Sequence, residues 1–436
     1  MNLSRVIAYN TLVQILGKSI TLVFGITTTA LLTNYLGPVG FGDYIFALSF
    51  VAIFSGVADW GTVLITVREA AREEKIQDKI FGNILLLRLG LSFLAMAVVW
   101  LIIFFFPLTG PHPDFLRRLV ILSSVLILLF ALKTSLGIIF QTKLKMERGA
   151  LVDLTASLLT FIFSLIIIKT GGELFSIIGA IILANIVAIM VAFSLTRSLV
   201  ALDFSLSLAV LRKIFFEALP MGGVLALFSI YNRVDVLILQ AIKGSETVGI
   251  YGVSYRVYEV LTLAAFYLMN TLLPIISREK SRARLCQIYQ KTLDVLILAG
   301  GMALVGTIIF APLAIKVITW QRFGEFAQSV PALRILGLAV LMAYLNHITG
   351  YMIVVLGKQR GYFFIALAAL IFNVSLNLLL IPVFSLFGAA WTTFLTEGLV
   401  FCLTSLFLAK TLRFFPSFFS FPKTGWELVS RKGKIF

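Results

Sequence analysis

Twelve stretches of this chain are each long and apolar enough to cross a bilayer, and that property constrains the fold more than any other. A membrane-spanning helix needs about 20 mainly apolar residues. Such runs fall at roughly 9–34, 43–67, 84–106, 117–140, 150–169, 174–196, 214–241, 248–276, 292–316, 331–356, 361–382 and 386–410. They are continuous, which excludes a membrane β-barrel, whose strands alternate over about ten residues. Of 436 residues, 60% are hydrophobic and 13% charged, against roughly 45–50% and about 25% in an ordinary globular domain. A soluble core could not hide that much apolar surface, so a cytosolic enzyme is excluded. The expected fold class is all-α: a polytopic membrane protein of about 12 transmembrane helices.

A formal charge of +16, from 36 Lys+Arg against 20 Asp+Glu, would suggest nucleic acid in a soluble protein. Here the placement of the charges gives another reading. With the connections taken alternately, one side carries 24 basic residues, among them Arg68, Lys145, Arg148, Arg212, Arg284 and the tail from Lys410 to Lys434. The other side carries 7, among them Arg117, Lys169 and Lys243. Basic residues near helix ends are retained in the cytoplasm, so both termini are expected there, in a multi-pass protein of the cytoplasmic (inner) membrane. The excess is then an orientation signal that can also meet anionic lipid headgroups, and nucleic acid has no part in it. The start, Met1 to Val6, leads into the first span with no Ala-x-Ala-like site, so no cleavable signal is expected. Cys286 and Cys402 cannot make a disulfide framework and read as free thiols.

The chain is written twice. Val39-Gly40 recurs as Val248-Gly249, Leu116-Arg117 as Leu333-Arg334, and Arg148-Gly149 as Arg360-Gly361. The run Phe175–Ala180 recurs as Phe384–Ala389. Six spans per copy is an even number, so both copies enter from the same side, as parallel repeats about the membrane normal. Expected boundaries are 1–200 for the N-terminal six-helix bundle, 201–411 for the C-terminal bundle, and 412–436 for a basic cytoplasmic tail. A pair of such bundles around a central cavity is a transporter's architecture more often than an enzyme's.

Ionisable residues within spans are costly and tend to face the bundle interior or water. In the first span Thr11, Gln14, Lys18, Thr21, Gly25 and Thr28 share one helical face. Lys18 reads either as a wall of a cationic cavity or as a cation neutralised by a neighbouring carboxylate. Arg233 and Asp235, near the outer end of the seventh span, point apart on a continuous helix. Arg256 and Glu259 share a face at i, i+3, so Arg256 either binds substrate or is balanced by Glu259. Asp59 in the second span and Glu397 midway along the last could bind a coupling proton or sodium ion, or pair structurally. Arg88, Asp153, Glu217 and Asp294 read as interfacial, Lys133 lies somewhat deeper, and His347 with Tyr344 and Tyr351 reads as a packing stripe.

Enzyme signals are missing. Gly17-Lys18-Ser19 resembles the end of a phosphate-binding loop, but Leu12 stands where its first glycine belongs. No zinc-protease helix motif or cysteine pair at metal spacing occurs, and no resident cofactor is expected.

Other motifs carry a family resemblance. Leu32-Thr33-Asn34-Tyr35-Leu36-Gly37-Pro38-Val39-Gly40-Phe41-Gly42-Asp43-Tyr44 resembles the opening of polysaccharide exporters, as do Ala58-Asp59-Trp60-Gly61 and Val67-Arg68-Glu69. Leu219-Pro220-Met221-Gly222, Asn232-Arg233-Val234-Asp235 and Val248-Gly249-Ile250-Tyr251 do so more loosely. Over about residues 5–410 the chain is similar to Wzx-type flippases of the multidrug/oligosaccharidyl-lipid/polysaccharide (MOP) exporter superfamily. The resemblance implies two six-helix bundles and transport of undecaprenyl-pyrophosphate-linked sugars, O-antigen of lipopolysaccharide included, by alternating access. It also implies membrane lipids and the polysaccharide polymerase machinery as partners, and coupling to a proton or sodium gradient. Lys18, Arg233 and Arg256 are the candidates for a cationic cavity, and Asp59, Asp235, Glu259 and Glu397 for ion coupling or charge balance. Relatives usually place the acid before the base where this chain has Arg233 before Asp235. The competing readings are a drug or metabolite antiporter of the same superfamily and a membrane-embedded polymerase or glycosyltransferase, for which the connections are short.

Overall fold

The computed structural model describes residues 3–72, 76–110, 112–279, 281–422 and 424, without the side chains of residues 3–12, 15, 64, 71–72, 220, 274–275 and 278. The Thr11 side chain and the tail beyond residue 424 therefore lie outside the described residues. Among those described are fourteen α-helices and no strand. They are α1 (Leu3–Asp59), α2 (Thr62–Arg72), α3 (Gln77–Phe105), α4 (Pro113–Ser123), α5 (Val125–Thr142), α6 (Met146–Lys169) and α7 (Leu174–Arg197). There follow α8 (Leu208–Tyr231), α9 (Val234–Lys243), α10 (Ser245–Arg278), α11 (Arg282–Thr319), α12 (Ser329–Val355), α13 (Gln359–Phe384) and α14 (Leu386–Leu412).

The helices match the twelve apolar stretches once three backbone breaks are recognised. The first two stretches both lie in α1, on either side of Gly37, whose φ/ψ of 66°/−176° is not helical. The fourth is α4 with α5, and the seventh is α8 with α9. Two boundaries differ from expectation. The second stretch stops at Asp59, where Trp60 (φ 47°) and Gly61 (φ 65°) turn the chain into α2. The seventh breaks at Asn232-Arg233 instead of running through. Hydropathy is an average over about 19 residues, and a break of one or two residues leaves that average unchanged.

The chain divides into two compact units, Met1–Gly249 and Ile250–Phe436. In the first, α6 packs between α1 and α7, and α5 packs against α3 and α7. Phe81, Ile84, Ile139, Phe140 and Ala188 sit in its buried core. In the second, α12 packs against α11 and α14, and α13 against α14. Large apolar side chains face outward from both, such as Phe104, Phe105 and Met190 in the first and Met302, Phe310 and Leu379 in the second. In lipid such a surface is well solvated, because every backbone polar group inside a helix is already paired.

The repeat is visible in the backbone. Gly37 and Gly244 (φ 81°, ψ −179°) adopt the same conformation at corresponding points, each just before a helical segment begins. That region of φ/ψ is essentially restricted to glycine. Just beyond these turns, α1 and the start of α10 cross within the first unit. A Cβ on Gly42 would fall on the Ser245 carbonyl oxygen and lie 2.9 Å from the Gly249 nitrogen. A Cβ on Gly249 would fall on the Pro38 carbonyl oxygen and lie 3.0 Å from the Gly42 nitrogen. Small residues thus let two backbones meet, as in other membrane helix pairs. Ser245 closes the crossing by donating to Asp43 Oδ1 at 2.5 Å. Because backbone cannot rotate away as a side chain can, Gly42→Ala should destabilise the protein by about 1–3 kcal/mol or more. The readout is the melting temperature in detergent, with Gly90→Ala, where a Cβ meets nothing within 4 Å, as the control.

Candidate functional site

The membrane interior of the first unit holds two groups of charges, joined by neighbouring residues on α5. Lys18 of α1 forms an ion pair with Asp153 of α6, and Lys133 of α5 approaches the same carboxylate at 3.7 Å. Lys18 is 47% exposed and Lys133 19%, so the group has one open side and one enclosed side. Asp153 is seven residues into α6 and Lys133 nine from the end of α5, roughly 10 and 13 Å along the helix axes. Asp153 supplies the partner that the sequence left open for Lys133. Two ammonium groups on one carboxylate leave a net charge of about +1, and low surrounding dielectric strengthens its attraction for an anion.

Beside Lys133, Thr134 accepts from Arg88 Nη2 at 2.8 Å. Arg88, on α3, is 2% exposed and pairs with Asp59 at 2.7 Å. Arg88 is thus buried against its partners, about 16 Å along α3 from its first residue. Asp59 is the last residue of α1, at the end of a candidate span, and it balances that guanidinium.

The remaining first-unit candidates sit at the break in the seventh span. Arg233 precedes α9 with non-helical φ/ψ of −138°/−10°, and Asp235 lies in the first turn of α9, 3% exposed, accepting from the Val236 amide at 2.8 Å. The divergence expected for these two on a continuous helix does not apply, since the helix is interrupted between Tyr231 and Val234.

In the second unit, Arg256 Nη1 donates to Glu259 at 3.2 Å along α10, as the i, i+3 spacing implies. Glu397, midway along α14 and 8% exposed, accepts from Asn346 Nδ2 at 2.6 Å, and the same nitrogen reaches the Glu397 carbonyl at 2.9 Å. On the residue before Glu397, Thr396 accepts from Asn373, which in turn accepts from Asn377, a ladder of buried amides and hydroxyls between α13 and α14. Asn346, Asn373 and Asn377 are absent from the sequence-derived candidates. Their signal was there, in two asparagines at i, i+4 opposite threonines on an otherwise apolar helix. Around His347, Tyr344 donates to the Leu261 carbonyl at 2.9 Å and Tyr351 to Asn270 at 2.6 Å. That is the packing stripe expected.

Two motifs singled out for their family resemblance meet at the end of the first unit. Gly61 packs against Gly222, and Trp60 stacks on Phe215 at 5.8 Å with the rings 6° from parallel. Next to them Arg68 pairs with Glu217, and Lys213 with Glu69 at 2.5 Å, tying α2 to α8. The hydrogen bond from Lys213 first, then that from Arg68, hold the Glu69 carboxyl below the usual carboxylate range, against the opposing effect of burial. A depressed folded-state pKa means stability present above the unfolded value of about 4.3 and lost as pH falls through the folded value. Glu69→Gln should therefore lower the melting temperature at neutral pH, and the gap to wild type should close below about pH 4. A gap that stays constant over that range would show the ion pairs have no part in it.

The comparisons with known proteins agree with this architecture. The inward-closed structure of the lipid II flippase MurJ superposes with a TM-score of 0.77 at 16% identity, covering 96% of this chain and 90% of that one. An inward-facing multidrug resistance MATE transporter of the MOP superfamily gives 0.74 at 14% identity, covering 90% and 95%. A MOP-superfamily transporter from Pyrococcus furiosus gives 0.65 at 16% identity, covering 94% and 96%. At these identities the likeness speaks for the fold alone: a multi-pass membrane fold like that of MurJ and the MATE transporter. No curated protein sequence matches the chain. The sequence pattern of the family described as polysaccharide biosynthesis protein matches residues 7–280, well over half the chain, and with the fold above this shows that the chain belongs to that family.

Proposed function

We propose that the protein is a flippase moving undecaprenyl-pyrophosphate-linked oligosaccharide across the cytoplasmic membrane by alternating access, for cell-surface polysaccharide biosynthesis such as that of O-antigen. The observation that carries this reading is the Lys18–Asp153–Lys133 group, a net positive site among membrane-spanning helices. A pyrophosphate headgroup is anionic, and a hydrophobic tail with a polar head needs such a site where water is scarce. Lys18 and Lys133 receive the phosphates, with Arg233 and Arg256 as further cationic candidates. Asp59, Asp235 and Glu259 serve charge balance. Glu397, held by Asn346 in the second unit, is the acid through which a proton or sodium gradient is coupled. Both termini face the cytoplasm, and the polysaccharide polymerase machinery is the partner on the far side.

The reading is tested in proteoliposomes with a fluorescent undecaprenyl-pyrophosphate oligosaccharide, following the fraction exposed to an added impermeant glycosidase. The expected result is flipping well above that of protein-free vesicles. Uptake of a small cationic drug with no flipping of the lipid would instead identify an antiporter of the same superfamily. Orientation is tested separately on half-buried Cys286, in a variant with Cys402→Ser: an impermeant maleimide should label it only in opened cells. Labelling in intact cells would invert the topology.

A further inference from the structure

Each unit holds a segment, following α7 in the first and α14 in the second, that is clamped against a helix of that unit in the same manner. In the first unit the chain leaving α7 is held by Asn83 of α3, which is fully buried. Its Nδ2 donates to the Ser205 carbonyl at 2.9 Å and its Oδ1 accepts the Ser207 amide at 2.8 Å. A Cβ on neighbouring Gly82 would fall on the Asp203 carbonyl, so the segment lies directly on the helix. In the second unit the chain leaving α14 is held by Gln290 of α11. Its Oε1 accepts the Ser417 amide at 2.8 Å, and its Nε2 donates to the Ser417 carbonyl at 2.7 Å. Buried Asp294, expected to be interfacial, adds bonds from Ser420 at 2.7 Å and Thr424 at 2.6 Å. Asn83 and Gln290 are separated by the same 207 positions as Gly37 and Gly244. The clamp is thus part of the repeat.

The clamps present large apolar side chains outward, with Asp203, Ser205 and Ser417 exposed among them. Phe204, Leu206 and Leu208 are 48%, 65% and 74% exposed, and Phe415 and Phe419 are 60% and 88% exposed. Asn83 is six residues into α3 and Gln290 eight into α11, roughly 9 and 12 Å along their axes. The surroundings are basic. Arg197 lies over Phe193 at 4.6 Å and Arg212 over Phe216 at 5.8 Å, while Lys410 and Arg413 are exposed beside the second segment. The nearby acids are engaged, Asp203 by Ser205, Glu217 by Arg68, and Asp294 by the two hydroxyls.

We propose that residues 203–208 and 414–421 are a repeated interfacial anchor, whose phenylalanines and leucines enter the acyl boundary of the cytoplasmic leaflet while the flanking arginines bind acidic phospholipid headgroups. The leaflet follows from the orientation proposed above; the insertion does not. Bulk acidic lipid is the occupant that fits, because in each unit exposed phenylalanines and leucines are flanked in the chain by basic side chains, Arg197 and Arg212 about the first segment and Lys410 and Arg413 before the second.

The test uses the full chain in nanodiscs with Cys286→Ser and Cys402→Ser, spin-labelled at Leu206→Cys or Phe419→Cys. Both sites are exposed, so the core is not disturbed. Oxygen should relax each label more effectively than a water-soluble nickel chelate. Asn83→Leu should release the label at 206 into water and leave that at 419 unchanged. In discs of mixed phosphatidylglycerol and phosphatidylcholine, Arg212→Gln and Arg413→Gln should each cut retained phosphatidylglycerol about fivefold, which corresponds to ~1 kcal/mol per basic residue at an anionic surface. Water-like nickel access at either label would overturn the anchor, as would protection from both reagents, which would indicate a protein cover. Unchanged phosphatidylglycerol retention in both arginine variants would overturn the headgroup site. None of these readouts depends on transport, so a failure here is distinguishable from a failure of the flippase reading.

Discussion

Lys18→Gln is expected to cut flipping of the pyrophosphate-linked oligosaccharide by roughly 10–150-fold at matched amounts of folded protein, the equivalent of a hydrogen bond to a charged group at ~1.5–3 kcal/mol. Lys133→Gln should do much the same, because either change takes the Lys18–Asp153–Lys133 group from net positive to neutral. The informative variant is the double one, Lys18→Gln with Asp153→Asn. It restores the net positive charge on Lys133 and should recover much of the lost rate. The two readings of Lys18 separate here. If Lys18 only neutralises Asp153, Lys133 remains to do so, and the single variant should transport normally once folded protein is matched. Wild-type rates in both single variants would remove the group from the mechanism.

Arg88→Leu should act on stability instead. The guanidinium is 2% exposed, and the Asp59 carboxylate 2.7 Å away is 29% exposed, so removing either partner leaves a charge in surroundings that solvate it poorly. Breaking a buried pair in this way typically costs about 3–5 kcal/mol, whereas replacing both partners by apolar residues is often neutral. Arg88→Leu and Asp59→Leu alone should each lower the melting temperature in detergent sharply, and the double variant should recover most of the loss. Additive losses in the double variant would mean that the two residues act independently.

How much of this was legible in the sequence differs from residue to residue. The face carrying Gln14, Lys18 and Thr21 and the Arg256–Glu259 pair follow from helical periodicity, because the partners sit within one or two turns. The repeat was legible from short matches, and the glycines Gly37 and Gly244 give it a backbone form. Arg88 and Asp153 were read as interfacial because span ends drawn from hydropathy fell just beside them. The observed helices start seven residues before the drawn span at Arg88 and four before it at Asp153, and what the sequence could not give was their partners, Asp59 for Arg88 and Lys18 with Lys133 for Asp153. Asp294 and Gln290 acquired their role only when the chain beyond α14 folded back over them.

The sequence by itself determined that the chain spans the membrane, how many times, in which repeat, and with an excess of basic residues on one side. These are properties of summed apolarity and charge, which each residue contributes regardless of its distant neighbours. The tertiary structure decided which charges meet: Lys18 with an acid 135 residues away, Arg88 with Asp59, Glu397 with Asn346. Such pairings depend on the rotation and depth of each helix against the next. A rotation of one residue, about 100°, turns a side chain from a partner toward lipid, and packing fixes that angle while composition does not.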